Sequence, residues 1–372
     1  MMELIEANKD MLLFTAAAGV KVLAFLGAIM GFAGLLTLAE RKVSALMQDR
    51  IGPNRASVLG FTLNGLFHPL ADAIKMIFKE DFVPARAEKL LFTLAPMFAL
   101  VPVLALFAVI PFGDYVMVFG YQLDLQIADV PLGIFFVLAL SGLAIYGVFL
   151  AGWASKNNFA LLGAMRGAAQ MVSYEVVLGL TMVGLLMIYG SGSLQDMVRA
   201  QGKLLFDFIP AWGIVLQPFA FVLFLTAAIA ENKRTPFDLV EGESEIIGYF
   251  MEYSSMRFAA FMFAEFVEII LVAMLASTLF FGGWQVPYLY DTGFIFPGGG
   301  ALELDHYLVA ALQVGSIIAK TIFFSWFLLV VRWTLPRFRF DQLMSLCWKG
   351  LLPLALLNIL VTGAAMLLLG KI

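Results

Sequence analysis

The chain has 372 residues, 62% of them hydrophobic and only 13% charged, with a formal net charge of -4 and a mean hydropathy of +0.93. A soluble domain keeps about 25% charged residues, so the composition is that of a polytopic membrane protein, and the small net charge argues against a nucleic-acid partner. One cysteine, Cys347, excludes a disulfide within the chain and an iron–sulfur cluster held by its own thiolates, which takes about four ligands. The two histidines, His68 and His306, are too far apart to propose a metal site. No G-x-G-x-x-G or P-loop pattern is present, and Gly298-Gly299-Gly300 reads as a flexible loop.

A bilayer-crossing helix needs about 20 mostly apolar residues. Eight such spans are predicted, at residues 11–38, 90–110, 131–152, 167–188, 212–230, 258–281, 307–331 and 351–370. The expected fold is therefore all-α, with the whole chain, residues 1–372, forming a single membrane domain. The opening stretch, residues 1–10, is acidic and unlike a cleavable signal peptide, so the first span is expected to stay in the membrane. Within it, Gly27 and Gly31 predict close helix packing. The fourth span is interrupted by Tyr174 and Glu175.

After the first span, Leu63, Leu66, Phe67, Leu70, Ile74, Ile77 and Phe78 recur at helical spacing, opposite Asn64, His68, Asp72, Lys75 and Lys79. This pattern predicts an amphipathic interfacial helix over residues 57–79, apolar side toward lipid, kinked by Pro69. His68 falls on its solvated face. Connections after spans one, three, five and seven carry eight, two, three and four basic residues, 17 of the 23 in the chain. By the positive-inside rule these loops face the cytoplasm (or matrix) and both termini face outward, to the periplasm. The connections at 112–130 and 282–306 hold no Lys or Arg and read as surface connections. Cys347, beside Trp348, reads as a membrane-interface residue.

Residues 231–245 run Glu-Asn-Lys-Arg-Thr-Pro-Phe-Asp-Leu-Val-Glu-Gly-Glu-Ser-Glu, five carboxylates and two cations between two apolar spans. Pro236 cannot donate an amide hydrogen, so the chain is expected to break there. Glu241, Glu243 and Glu245 share one face of an extended segment, whereas a helix aligns only Glu241 and Glu245. Either geometry crowds negative charge, which favours proton uptake. An ordinary solvated loop is the plainer reading. Inside the spans lie Glu175, Glu265, Glu268, Lys21 and Lys320, each costing at least about 2.5–3.5 kcal/mol at a bilayer centre. Either the acids pair with Lys21 or Lys320 or sit near span ends and snorkel, or they form a buried carboxylate chain, continuing to Glu231, that holds and passes protons.

These residues resemble a known family. The segment from Glu40-Arg41-Lys42 to Ile51-Gly52-Pro53-Asn54 is similar to the one that closes the first helix of the respiratory complex I subunit called H in bacteria and subunit 1 in mitochondria. So are Ala71-Asp72-Ala73-Ile74-Lys75, Tyr174-Glu175-Val176, the 231–245 stretch, Ala264-Glu265-Phe266 and the run Pro336-Arg337-Phe338-Arg339-Phe340-Asp341-Gln342-Leu343, in order over nearly the full length. The resemblance implies the membrane subunit of a proton-translocating NADH:quinone oxidoreductase. That subunit forms the quinone entrance and docks the hydrophilic arm. It implies that Glu40, Arg41, Arg50 and Arg332 lie near the quinone path. Arg234, Asp238, Glu241, Glu243 and Glu245 would line the chamber floor and a coupling loop, and Glu175, Glu231 and Glu265 would form a proton route. Glu268 and Lys320 do not carry over. No cofactor is expected on this chain: quinone is the substrate, and NADH, FMN and iron–sulfur clusters belong to partner subunits. The partners implied are the quinone-site subunits of the hydrophilic arm, small membrane subunits, antiporter-like subunits and lipid. The long 282–306 loop favours a bacterial inner membrane over a mitochondrial one. A homologous subunit of a hydrogenase-type complex, a stand-alone cation/proton antiporter and a pure membrane anchor remain as alternatives.

Overall fold

The computed structural model describes residues 2–118, 121–205, 208–240, 242, 248–296 and 300–370. Helix α1 (Met2–Met47) leads through a short turn at Leu63–Gly65 to α2 (His68–Phe78) and α3 (Lys89–Leu106). A hairpin of β1 (Tyr115–Val118) and β2 (Tyr121–Asp124) precedes α4 (Gly133–Ala154) and α5 (Asn158–Tyr189). Then come α6 (Leu194–Gln201), a small hairpin of β3 (Leu204–Leu205) and β4 (Ile209–Pro210), α7 (Gly213–Leu216), α8 (Pro218–Glu231) and α9 (Ser255–Phe280). Strands β5 (Leu289–Tyr290), β6 (Gly293–Ile295) and β7 (Ala301–Glu303) form an antiparallel sheet before α10 (His306–Thr334), α11 (Phe340–Ser345) and α12 (Leu352–Leu369).

Seven helices among the described residues are long and apolar enough to cross a membrane: Ala18–Met47, Lys89–Val109, Gly133–Ala154, Asn158–Tyr189, Ser255–Phe280, His306–Thr334 and Phe340–Leu368. The chain is a multi-pass membrane protein. The predicted fifth span, 212–230, is corrected to a broken helix. Gln217 (φ -140, ψ 64) separates α7 from α8, and α8 starts on a proline. Fourteen residues of helix rise only about 21 Å, short of the roughly 30 Å hydrocarbon layer. The buried Gln217 side chain donates to the Thr362 hydroxyl at 2.8 Å and so satisfies itself inside the bundle.

The fourth span is not interrupted: α5 runs unbroken for 32 residues, capped by the Asn157 side chain at its start and by Gly190 (φ 70) at its end. Tyr174 is buried and donates to the Leu343 carbonyl. Pro69 does not kink a helix but opens α2 near its first position, where a missing N–H costs nothing. The interfacial helix thus covers 68–78 rather than 57–79. Its apolar residues Leu70, Ile74, Ile77 and Phe78 are all exposed, as an interfacial face requires. Ser254 and Ser255 tie its far end to α9 by donating to the Glu80 and Met76 carbonyls.

Helix α9 is the axis of the bundle. Every residue from 264 to 280 is buried, against α1, α3, α8 and α10. Gly147 lets α4 meet α3 at backbone distance, since a Cβ there would sit 2.4 Å from the Ala99 nitrogen. The predicted packing role of Gly27 and Gly31 is not met among the described residues, because a Cβ at either position would meet no other helix within 4 Å. The connections at 112–130 and 282–306 are not plain surface loops. Short strands organise them, Trp284 is buried, and Asp114 pairs with Arg199 at 2.6 Å. Of the glycine run, 298 and 299 lie outside the described residues.

Candidate functional site

Helix α8 ends at Glu231, and the chain turns at Lys233 (φ 54) into a segment that packs inside the bundle. Asn232, Lys233, Arg234, Phe237, Asp238, Leu239 and Val240 are all buried, so the solvated-loop reading fails over residues 232–240. One side chain explains why the turn closes. Gln170, fully buried on α5, donates to the Ala230 carbonyl at 2.7 Å and to the Phe237 carbonyl at 2.9 Å, holding both limbs of the turn. The 336–343 motif closes over it from the other side. Phe338 stacks on Phe237 with ring centres 5.4 Å apart, its amide donates to the Pro236 carbonyl at 3.0 Å, and Arg337 donates to Asp238 at 2.9 Å.

Around this turn the buried charges pair. Glu40, on the last turns of α1, accepts from Arg234 at 2.8 Å and also from Arg332 at the end of α10. Arg234 reaches Glu265 of α9 at 3.6 Å and lies over the Phe266 ring at 4.7 Å. Lys233 lies 3.8 Å from Glu268, one helical turn further along α9. Burial pushes the Asp238 carboxyl up to about 6, with the Arg337 guanidinium pulling against it.

Two cavities flank the cluster. A cleft of about 550 Å3 is lined by Glu40, Arg41, Arg50, His68 and Trp333, among others, so Glu40 forms part of its wall. Arg41 is fixed there by Asp72 of α2 at 2.6 Å. His68 is half-buried against the Gly65 carbonyl rather than simply solvated. The second cavity, about 40 Å3, lies within the bundle and is lined by Glu231, Asn232, Glu268 and Ser141 amid apolar side chains. Ser141 donates to Glu175 at 3.2 Å.

The structure therefore brings Glu40, Arg41 and Arg50 to one cleft, and gathers Arg332, Arg234 and Glu265 around Glu40. Glu231 and Glu175 are brought to the inner cavity, directly and through Ser141. Glu241, Glu243 and Glu245 lie outside the described residues. Of the alternatives for the acids inside the spans, pairing with Lys21 or Lys320 is not what the structure shows. Lys21 donates to the Asp124 carbonyl, and Lys320 donates to the carbonyls of Phe281, Gly283 and Gln285 at 2.7–2.8 Å, capping the end of α9. Cys347 is not exposed to lipid or water. It is fully buried in a π-helical turn (Leu346–Leu351), its thiol donating to the Ser173 carbonyl, while its neighbour Trp348 faces outward. Sequence reasoning did not single out Lys233, Gln170 and Arg337 as site residues, although Lys233 and Arg337 lie in the 231–245 and 336–343 stretches, and it left the role of Glu268 open, three residues from Glu265.

The profile of the family described as NADH dehydrogenase matches residues 20–363. A protein from Thermomicrobium roseum, named as the H subunit of NADH-quinone oxidoreductase, is 46% identical over 91% of this chain and 92% of its own length. Proteins of the same name come from Geobacter metallireducens, 46% identical over 91% of this chain and 93% of its own length, and Geobacter sulfurreducens, 45% identical over 94% and 96%.

Proposed function

The chain belongs to the NADH dehydrogenase family, and from that premise we propose that it is the membrane subunit of a proton-translocating NADH-quinone oxidoreductase in a bacterial inner membrane. In this reading it admits quinone through the cleft beside Glu40, Arg41 and Arg50 and forms part of the quinone chamber. Its basic inner loops dock the hydrophilic arm, with both termini outward. It works with the quinone-site subunits of that arm and with small and antiporter-like membrane subunits. NADH, FMN and iron–sulfur clusters belong to those partners, and this chain takes no electrons itself.

The observation that carries the reading is the double placement of Glu40: it forms part of the cleft wall, and its carboxylate is held by two arginines of the buried cluster. Quinone accepts two electrons from the partner and two protons, becoming quinol. Until the protons arrive, negative charge accumulates in a poorly hydrated space, where Coulomb energies rise as the effective dielectric falls. That charge competes with Glu40 for Arg332 and Arg234. Arg234 already lies between Glu40 and Glu265, so a shift of its guanidinium carries the event from the cleft to α9. Glu175 and Glu231 then form the proton-holding part of the route, and the 241–245 acids form the responsive part of the loop.

The test is made on the assembled complex in membranes. Glu241→Gln, Glu243→Gln or Glu245→Gln should lower quinone reduction or proton translocation with assembly intact, and Glu175→Gln should impair turnover more than Glu3→Gln. Unchanged coupled activity in all three loop variants removes the loop from the mechanism, and equal effects at Glu175 and Glu3 remove Glu175 from the route. Titration with a quinone-site inhibitor separates this reading from a hydrogenase-type complex.

A further inference from the structure

The route Glu175–Glu231–Glu265 has a gap in it. Glu231 lines the inner cavity, and Glu175 reaches that cavity through Ser141, but Glu265 is not among its lining residues. Glu265 is instead turned to Arg234. The α9 carboxylate on the cavity is Glu268. We infer that Glu268 is a further proton-carrying residue of this chain, the one that joins the Glu231 side of the water-sized cavity to the ion-paired acids of α9. The inference rests on the proposed proton route and adds a member to it.

Three observations support it. First, the cavity has the size and lining for water. A water needs roughly 10–15 Å3 of such space and two to four polar partners. About 40 Å3 therefore holds two or three waters, and Glu231, Glu268, Asn232 and Ser141 supply the partners. Second, Glu268 is buried, only 7% exposed, yet its Oε2 makes no hydrogen bond to any described protein group. Its cation, Lys233, stays 3.8 Å away, beyond hydrogen-bond length. A carboxylate placed only to neutralise Lys233 would close that gap. Third, Lys233 sits two residues after Glu231 in the chain and is itself buried, lying over the Tyr249 ring at 6.0 Å. It is close in sequence to one carboxylate and close in space to the other, so it can balance the anion wherever it resides.

The transfer is simple to balance. The O–H bond of a protonated Glu231 breaks toward a cavity water, a water O–H bond breaks toward Glu268, and a new O–H bond forms on Glu268 Oε2. Glu231 becomes the anion and Glu268 the neutral acid. The charged groups facing the site are Glu231 and Glu175 from α8 and α5, Lys233 and Arg234 from the turn, and Glu265 on α9 itself. Among the residues lining the cavity, helices α3 and α4 contribute only apolar groups and Ser141.

The experiment compares Glu268→Gln, Glu268→Asp, the double variant Glu268→Gln/Lys233→Met and Glu231→Gln in the full complex, reconstituted in vesicles. Proton uptake and NADH:quinone turnover are measured per assembled complex. Glu268→Gln should lower proton-coupled turnover about tenfold or more, the scale at which a positioned proton carrier acts, and Glu268→Asp should restore most of it. The double variant removes both charges and leaves no unpaired lysine, yet should stay impaired. Recovery in the double variant overturns the inference, because the acid then serves only to balance Lys233. If Glu231→Gln impairs the complex while Glu268→Gln does not, Glu268 is not a carrier and the route stands without it. If Glu231→Gln is also silent, the proposed route itself falls.

Discussion

Asp238 carries a prediction whose size follows from its surroundings. Its side chain is 11% exposed, its Oδ2 meets Arg337, and its Oδ1 has no hydrogen-bond partner among the described groups. Burial raises its pKa from the ordinary 3.8 to about 6, even with Arg337 present. A carboxyl whose folded value lies above its unfolded value favours the fold below the unfolded value, and that contribution is lost as pH rises through about 6. At pH 8 the full difference applies, and at 1.36 kcal/mol per unit the ionised form costs the closed turn about 3 kcal/mol. At pH 5 the cost is about half of that. Asp238→Asn removes the ionisation while keeping the shape, and the 40%-exposed Arg337 it leaves behind can be hydrated. The turn should therefore open less often in the variant, by about a hundredfold at pH 8 and by about tenfold at pH 5.

Hydrogen exchange on the purified complex reads this directly. The amides of Phe237, Leu239 and Phe338 all hydrogen-bond within or onto the turn. Their protection, corrected for intrinsic exchange at each pH, should rise in the variant, and more so at the higher pH. Quinone reduction should fall in the same variant, because the arrangement is kept against a stability cost. Protection that falls in Asp238→Asn at pH 8, or a gain that does not change with pH, refutes the reasoning.

Gln170→Leu keeps the volume but removes one donor from each of the Ala230 and Phe237 carbonyls, which keep their backbone donors, costing about 2 kcal/mol, seen as faster exchange in the turn with the helices unaffected. Gly147→Ala forces a methyl into the Ala99 backbone, so α3 and α4 must separate. The cost is at least about 2 kcal/mol, read as reduced assembly and a shorter thermal half-life. Lys320→Met takes the donor from the Phe281 and Gly283 carbonyls and one of two donors from that of Gln285, and should cost about 3 kcal/mol in thermal resistance, with quinone turnover per assembled complex unchanged.

Most of the membrane architecture was legible, because apolar runs are local signals. The misread places are those where a polar residue serves the inside of the bundle. Pro218 biases Gln217 away from the helical region and breaks the α7–α8 helix there, and the Gln217 side chain is satisfied by Thr362, 145 positions away. Glu175 and Tyr174 leave α5 unbroken because Ser141 and the Leu343 carbonyl receive them. Lys156 and Arg166 suggested a loop, yet α5 already begins at Asn158. At the site, the separate motifs were visible but their meeting was not. Glu40 lies 194 positions from Arg234 and 292 from Arg332, and no local pattern encodes those contacts. The Gln170 clamp had no signal at all, because a lone glutamine on an apolar helix face reveals nothing about the carbonyls it will meet.

The pairing of charges divides the acids into two kinds. Glu40 and Glu265 are matched by Arg332 and Arg234, so a proton added to either weakens the hold on a guanidinium inside the cluster, whereas Asp238 is matched by the partly exposed Arg337. Glu231 has no ion pair within 4 Å among the described residues, and Glu175 accepts from the Ser141 hydroxyl and has no cation within 4 Å among them, so both can gain or lose a proton without breaking an ion pair. The two kinds should respond differently to neutralisation. Glu265→Gln should behave like a change at Arg234, altering the Km for quinone together with turnover, because it releases the guanidinium that also holds Glu40. Glu175→Gln and Glu231→Gln should leave the Km for quinone close to that of the parent and lower the maximal proton-coupled rate. Steady-state kinetics at varied quinone concentration separate the cases, and a Km shift at Glu175 as large as that at Glu265 would abolish the distinction between acids that carry protons and acids that transmit charge.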